Sequence, residues 1–177
     1  MKFFEILNQQ NIFDDYADVL DWILSDNKFP KEVWDNKNKV QAFTKGINRL
    51  NGLTKSTIHY DVKKNIMFPQ KGTYKDYEIP TIYIAKKDSQ ARDLIRHIRN
   101  GIAHGNIELY FIENSLIAEI LDYENNQKKA QTAYILIPLY YLKDIYNLYL
   151  KKEKTWKKQK YKSKNKKICS NKRKNNH

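Results

Sequence analysis

The segment from Asp88 to Gly105 constrains the fold most, because it has both a clear helical period and a definite end. Its apolar residues recur at spacings of three and four, which is typical of one buried helix face: Ala91, Leu94, Ile95, Ile98 and Ile102. Asp88 or Ser89 is a suitable N-cap, and Gly105 stands where a left-handed residue commonly ends a helix. The sequence therefore predicts an amphipathic central helix that packs one face against a core.

The hydrophobic period changes directly after the central helix. The segments IELYFI, SLIAEILDY and TAYILI alternate or run apolar, and the polar links EN and ENNQKK separate them. Such runs, rich in β-branched and aromatic residues, predict a three-stranded antiparallel meander at about residues 106–137. Pro138 is then expected to open a last helix that begins with LYYLKDIYNLYL.

The first half of the chain gives a weaker pattern. Apolar residues at roughly helical spacing predict helices over residues 3–24 and 31–50, with Pro30 between them. Residues 54–78 are ambiguous, since TIHYDV suits a strand or a further helical turn, and IPTIYIAKK predicts a short extended segment. Together these patterns predict a mainly α fold class, with a small three-stranded antiparallel β insertion before the last helix.

The net charge of +13 is concentrated at the C-terminus. Residues 151–177 contain 13 Lys and Arg and one acid, whereas the other 150 residues carry 20 basic and 19 acidic side chains. We therefore predict one domain over residues 1–156 and a Lys-rich tail over residues 157–177 that is disordered or only weakly helical. The tail either binds RNA phosphates, with Trp156 and Tyr161 stacking on bases, or is an ordinary solvated end, and its composition leaves both interpretations open.

The sequence also narrows the cellular setting and the chemistry. No apolar run approaches the ~18 residues of a membrane span, and Glu5, Asp14 and Asp15 interrupt any signal-peptide core, so no membrane partner is expected. The single cysteine, Cys169, cannot form an internal disulfide, and a cytoplasmic protein is expected. Without an H-E-x-x-H motif, paired cysteines or a Gly-rich phosphate loop, we expect no metal and no other cofactor.

The polar face of the central helix is unusually basic. At about 100° per residue, the side opposite Ile98 carries Arg92, Arg96, Arg99 and Asn100, with His97 and His104 along one edge. Arg99 and His104 lie about 140° apart around the helix axis and about 7.5 Å apart along it, so they do not meet within one helix. The face is either the ordinary solvated side of a helix or a surface that binds a polyanion.

The segment RNGIAHGN, residues 99–106, resembles the signature of the HEPN superfamily. In that signature an Arg, usually followed by a polar residue, precedes a His by four to six intervening residues near a helix end; here Arg99, Asn100 and His104 fill these positions. The strand meander after the motif resembles a plasmid-borne branch of the superfamily. The resemblance covers about residues 88–150 and implies a HEPN-like antiparallel helical bundle, a homodimer, and often metal-independent endoribonuclease activity.

The resemblance implies a role for each residue of the motif. His104 is the candidate for proton transfer and Arg99 for clamping the phosphate, while Asn100 would bind the phosphate or hold His104. Arg96 and His97 are candidate substrate-binding residues, and each also suits an ordinary surface position. RNA is the expected partner, cleaved to a 2′,3′-cyclic phosphate and a 5′-hydroxyl in a cleft shared by two copies, and a neutralising antitoxin or regulatory partner fits a toxin or anti-phage role.

Two other functions remain open at this point. The chain could be a non-catalytic RNA-binding or scaffolding module that keeps the fold and the motif without turnover. It could also be a subunit that regulates a partner, or is regulated by one, through the tyrosines of the last helix. These tyrosines suit a core or a dimer interface equally well: Tyr140, Tyr141, Tyr146 and Tyr149.

Overall fold

A five-stranded sheet with helices packed on one of its faces forms the fold. The computed structural model describes the following residues: 7, 12–25, 36–50, 58–60, 68–85, 90–124 and 130–174. Its helices are α1 (Phe13–Leu24), α2 (Lys37–Ile47), α3 (Gln90–Ala103) and α4 (Tyr140–Lys174). Its strands are β1 (Ile58–Tyr60), β2 (Thr81–Ile84), β3 (Ile107–Ile112), β4 (Ser115–Tyr123) and β5 (Gln131–Pro138).

The sheet corrects the predicted fold class. Strands β3, β4 and β5 pair as an antiparallel meander, but β2 continues the sheet beside β5, and β1 pairs with β2 in parallel, giving the order β1-β2-β5-β4-β3. The prediction of a mainly α bundle with a small three-stranded insertion is therefore wrong, and the fold is mixed α/β. The error has a physical cause, because β2 is only four residues long and its partner β5 lies beyond α3 and the β3–β4 hairpin.

Helix α3 confirms the predicted central helix and lies against β4. All five residues of its predicted apolar face are buried: Ala91, Leu94, Ile95, Ile98 and Ile102. A Cβ atom built on Gly101 would lie 2.3 Å from Cγ2 of Ile120, so the helix approaches the strand too closely for a larger side chain here. The proposed N-caps, Asp88 and Ser89, lie outside the described residues.

The end of α3 is a Schellman cap that fixes the helix to the sheet. Gly105 has a φ of +68°, the left-handed region that favours glycine, and its N–H donates to the carbonyl of Ile102 at 3.1 Å. The N–H of Asn106 donates to the carbonyl of Gly101 at 2.8 Å, and the carbonyl of Asn106 accepts from Leu121 at 2.9 Å. The predicted stop at Gly105 is confirmed, and β4 holds the turn in place.

The two faces of the sheet belong to two different apolar clusters. On β4, Ala118 and Ile120 point into the core shared with the helices, whereas Ile117 and Leu121 belong to a second apolar cluster on the other face. Glu119 lies on that second face and is fully buried. Its carboxylate accepts hydrogen bonds from the Gly72 N–H, 3.0 Å from each oxygen, and from the phenols of Tyr110 and Tyr134 at 3.0 and 3.1 Å.

Helices α1, α2 and α4 complete the core. The rings of Tyr146 and Tyr149 on α4 lie 5.3 and 5.1 Å from that of Trp22 on α1. Helices α1 and α2 confirm a helix within each predicted range, but Ile12 precedes α1 and is not helical, and α2 ends at Ile47 rather than at residue 50. Residues 3–6, 8–11 and 31–35 of the predicted helices lie outside the described residues. No helix in the described ranges has both the length and the apolar character needed to span a membrane.

The start of the last helix differs from its prediction. Pro138 ends β5 and the helix begins at Tyr140, whereas Pro138 was expected to open it. Helix α4 then continues to Lys174, into the segment that is predicted to be disordered or only weakly helical. Its C-terminal part contains no Gly or Pro and many Lys residues, which favour a helix even where few apolar residues are available for packing. The division into a domain of residues 1–156 and a tail of residues 157–177 stays a prediction.

Candidate functional site

The polar face of α3 meets a buried acid of β4, and the two form a connected series of hydrogen bonds. On α3 the series comprises Asp93, Arg96, His97, Asn100 and Arg99, and on β4 it comprises Asp122. His97 and Asn100, at the edge of the polar face of α3, contact Asp122, which follows Ala118 and Ile120 on the helix-facing side of β4.

His97 lies at the centre of this series and is 1% exposed. Its Nδ1 atom lies 2.6 Å from Oδ2 of Asp122, and its Nε2 atom lies 3.1 Å from Nη2 of Arg96. A guanidinium only donates, so Nε2 accepts and the ring proton on Nδ1 is directed to Asp122. The hydrogen-bond pattern thus favours one tautomer of His97, with the proton on Nδ1. Its predicted role in substrate binding stays a prediction, and its burial favours a supporting role.

Asp122 is the functional candidate that the sequence interpretation missed. It is 3% exposed, and its Oδ2 atom accepts from His97 and from Nδ2 of Asn100, the latter at 3.2 Å. Its Oδ1 atom accepts from the backbone N–H of Tyr123 at 2.9 Å. Three donors compensate for the loss of water around this carboxylate. The available signal was an acid at the position after Ala118 and Ile120 in the period-2 pattern of β4, where an apolar residue is expected.

Asn100 connects this buried carboxylate to the motif arginine. Because Nδ2 of Asn100 donates to Asp122, its Oδ1 atom faces the guanidinium of Arg99, 3.5 Å from Nη1. Arg99 is half-buried. The structure therefore brings Arg99 and Asn100 together, as the motif suggests, and adds the acid behind them.

Arg96 closes the other end of the series. Its Nη2 atom donates to Oδ1 of Asp93 at 2.8 Å, besides its contact with His97. Asp93 is fully buried, whereas the Arg96 side chain is 34% exposed. Arg96 therefore pairs with a buried acid and still reaches solvent. Its predicted role in substrate binding stays a prediction.

His104 occupies a different position from the other motif residues. It follows Ala103, the last residue of α3, and its side chain is exposed, while its backbone N–H donates to the carbonyl of Asn100 at 2.9 Å. Its imidazole is thus presented to solvent on the capped end of the helix. Arg99 and His104 lie five positions apart along that helix, and a single copy of α3 does not turn them to the same side.

A metal centre would need several His, Cys, Asp or Glu side chains close together among the described residues. Within those ranges no group of three or more His, Cys, Asp or Glu side chains is placed to hold a metal ion. The acids of the site are engaged otherwise, since Asp93 binds Arg96 and Asp122 binds His97 and Asn100.

Comparison with known proteins relates the chain to one family. A family model described as HEPN pEK499 p136 matches residues 5–160 of the 177-residue chain. No curated protein and no solved structure gives a significant match. The matched range includes α3, the meander and the whole series of hydrogen bonds from Asp93 to Asp122.

Proposed function

Because the chain belongs to the HEPN pEK499 p136 family, we propose that it is a metal-independent endoribonuclease whose active site is shared by two copies of the chain. The match confirms the resemblance to the HEPN superfamily and to its plasmid-associated branch. HEPN domains are often ribonucleases, so the family supports an RNA-related function for this chain. Arg99, Asn100 and His104 are the residues we assign to the reaction.

The geometry of α3 is the reason for requiring two copies. Arg99 and His104 lie about 140° apart around the helix axis, so one helix presents them to different sides. Two α3 helices that face each other would bring Arg99 of one protomer opposite His104 of the partner subunit. A single phosphodiester between the helices would then meet both a guanidinium and an imidazole. We therefore propose a homodimer with the motif helices at its interface.

The proposed reaction uses the nucleophile that RNA already carries. The 2′-hydroxyl oxygen attacks the adjacent phosphorus, the bond from phosphorus to the 5′ oxygen breaks, and the products are a 2′,3′-cyclic phosphate and a 5′-hydroxyl. An imidazole can both accept and donate a proton, so His104 of one protomer could take the 2′ proton and return it to the leaving oxygen, opposite Arg99 of the partner subunit. Arg99 would bind the non-bridging oxygens, whose negative charge grows in the transition state. Arg96 would extend the positive surface.

One observation carries this proposal: the motif lies at an accessible helix end that is rigidly held. His104 is exposed on the cap of α3, and Arg99 is half-buried beside Asn100. The Gly105 cap and its bond to β4 fix that end against the sheet. A fixed end is what positioning a phosphate between two protomers requires.

The test is an RNA cleavage assay on purified protein. Wild type should cleave total RNA in the presence of EDTA, and Arg99→Ala and His104→Ala should each abolish cleavage. Arg92→Ala is the matched control, since Arg92 is an exposed arginine of the same helix outside the proposed site, and it should cleave as wild type does. The product ends should be a cyclic phosphate and a 5′-hydroxyl. Cleavage that persists in both motif variants, or that EDTA stops, would contradict the mechanism.

The lysines of α4 favour a second candidate, a non-catalytic RNA-binding module. Lys151, Lys154 and Lys158 recur at helical spacing and are exposed, whereas Trp156 is buried on the opposite side of the helix. A stripe of this kind suits a phosphate backbone without reading sequence. If wild type binds RNA and leaves it intact, and if replacing these three lysines by Gln weakens binding and flattens its salt dependence, this function is favoured over cleavage.

A toxin or anti-phage role would follow from unrestricted RNA cleavage. We propose that expression of the wild type stops bacterial growth, whereas His104→Ala does not, and that a neutralising partner relieves the arrest. If wild type and His104→Ala arrest growth equally, the toxicity does not depend on the proposed cleavage.

A further inference from the structure

We propose that Asp122 is a positioning residue that orients Arg99 through Asn100, so that strand β4 sets the geometry of the phosphate clamp. The inference rests on the proposed function, since it assigns Asp122 to the same site. Asp122 lies outside the Arg99–His104 motif and on a different element, 22 residues from Asn100 in the chain.

Asp122 determines which way the Asn100 amide faces. An ionised carboxylate only accepts hydrogen bonds, so Nδ2 of Asn100 turns toward Oδ2 of Asp122, at 3.2 Å. The carbonyl oxygen of the same amide then faces Nη1 of Arg99, at 3.5 Å. In the opposite orientation the amide would set its N–H donors against those of the guanidinium. The carboxylate thus decides whether Arg99 meets an acceptor or a donor.

Asp122 is itself held from several directions. His97 donates to Oδ2 at 2.6 Å, the Tyr123 N–H donates to Oδ1 at 2.9 Å, and its backbone pairs with Ala133 of β5. At 3% exposure these hydrogen bonds lie in a low-dielectric environment, where they are stronger than at the surface. A carboxylate fixed in this way transmits the rigidity of the sheet to the side chain that contacts Arg99.

Replacing Asp122 by Asn removes this control with little change of shape. If the new amide oxygen faces His97 and Asn100, its NH₂ group faces the Tyr123 N–H. If it faces Tyr123, the NH₂ group faces the N–H donors of His97 and Asn100. Either orientation sets donors against donors, and the Asn100 amide loses the charged acceptor that defined its orientation.

Glu119 provides a matched control on the same strand. It is also a buried carboxylate, but it lies on the opposite face of β4 and accepts from Gly72, Tyr110 and Tyr134. Glu119→Gln therefore removes an equivalent buried charge and an equivalent set of accepted hydrogen bonds, without touching Asn100 or Arg99. A purely structural role for Asp122 would make the two substitutions alike in their effect on activity per folded molecule.

The experiment compares wild type, Asp122→Asn and Glu119→Gln, each at a temperature where it is folded. Single-turnover and steady-state kinetics on a defined RNA give kcat and KM, and ¹H–¹⁵N spectra follow the side-chain amide of Asn100, assigned by its loss in Asn100→Ala. We expect Asp122→Asn to lower kcat by about 10- to 100-fold with KM changed by less than about twofold, and to shift the Asn100 amide signal. Glu119→Gln should leave both unchanged.

Each alternative result has a definite meaning. If Asp122→Asn cleaves as Glu119→Gln does, or lowers activity only through KM, the positioning role is overturned while cleavage stands. If wild type does not cleave RNA, the proposed function fails and the amide spectrum decides the inference on its own. In that case a shift of the Asn100 signal in Asp122→Asn, and not in Glu119→Gln, supports positioning, and an unshifted signal overturns it.

Discussion

The Nδ1 atom of His97 lies 2.6 Å from Oδ2 of Asp122 and joins α3 to β4 between residues 25 positions apart in the chain. Both side chains are buried, so replacing His97 by Ala leaves the Asp122 carboxylate without its shortest donor. We expect His97→Ala to lower the free energy of unfolding by about 2–3 kcal/mol, measured by urea denaturation.

His59 on β1 is the control for that substitution. It is exposed, and the centroid of its ring lies 4.3 Å from that of Tyr83, on which it stacks. His59→Ala should lower the free energy of unfolding by at most about 1 kcal/mol. Equal losses for the two histidines would mean that the hydrogen bond to Asp122 adds nothing to stability.

Gly101 tests how closely α3 approaches the sheet. A Cβ atom there would lie 2.3 Å from Cγ2 of Ile120 and 3.0 Å from the carbonyl oxygen of Leu121, so the helix or the strand must shift. We expect Gly101→Ala to lower the free energy of unfolding by about 1–3 kcal/mol, although Ala favours a helix more than Gly does. Thermal unfolding measures the difference.

Gly46 on α2 is the comparison for this close contact. A Cβ atom there would lie 2.8 Å from Cδ2 of Leu148, which is the end of a flexible side chain and can move. Gly46→Ala should therefore lower the free energy of unfolding by less than Gly101→Ala does. The reverse order would show that α3 and β4 are not packed as described.

Alkaline pH should destabilise the fold through its buried phenols. Burial, with Asp15 and Asp144 nearby, raises the pKa of Tyr16 from 10 to about 12, and burial raises that of Tyr141 to about 12. The folded state holds these protons more tightly than the unfolded chain does. Their contribution to stability is therefore complete below pH 10 and is lost as the pH rises toward 12.

Urea denaturation at several pH values between 9 and 12 checks this prediction. Tyr16→Phe should give a shallower loss of stability over that interval than wild type. A stability that stays flat from pH 10 to 12 would contradict the assignment.

A double-mutant cycle tests whether Asp122 acts through Asn100. If it does, Asp122→Asn should lower kcat strongly in the wild-type background but by less than about twofold when Asn100 is already Ala. The measurement is kcat for cleavage of a defined RNA by the four proteins of the cycle. If the two substitutions lower kcat by independent factors that multiply, Asp122 affects cleavage in some way other than through Asn100.

The part of this site that lies on α3 could be predicted from the sequence, because the residues that define it are close together in the chain. The spacing of Ile98 and Ile102, the stop at Gly105 and the Arg99–His104 motif all lie within one helix. Asp122 could not be assigned in the same way, since its partnership with His97 depends on how β4 packs against α3. An acid on the helix-facing side of a strand shows only that some partner is required.

The predicted fold class was wrong for a related reason. The meander and α3 each have a clear period, but the sheet is completed by β1 and β2, which are three and four residues long. Segments this short show little periodicity. β2 joins the sheet by pairing with β5, a distant part of the chain, and β1 joins it by pairing with β2.

The central claim is that Arg99 and His104 act together across two protomers, and mixing inactive variants tests it most directly. Arg99→Ala and His104→Ala should each be inactive alone, but a mixed dimer keeps Arg99 on one protomer and His104 on the partner subunit. We predict that heterodimers, produced by co-expression and confirmed by native mass spectrometry, recover RNA cleavage. Heterodimers that form and remain inactive would contradict a shared site, because residues that act within one chain cannot be restored by mixing.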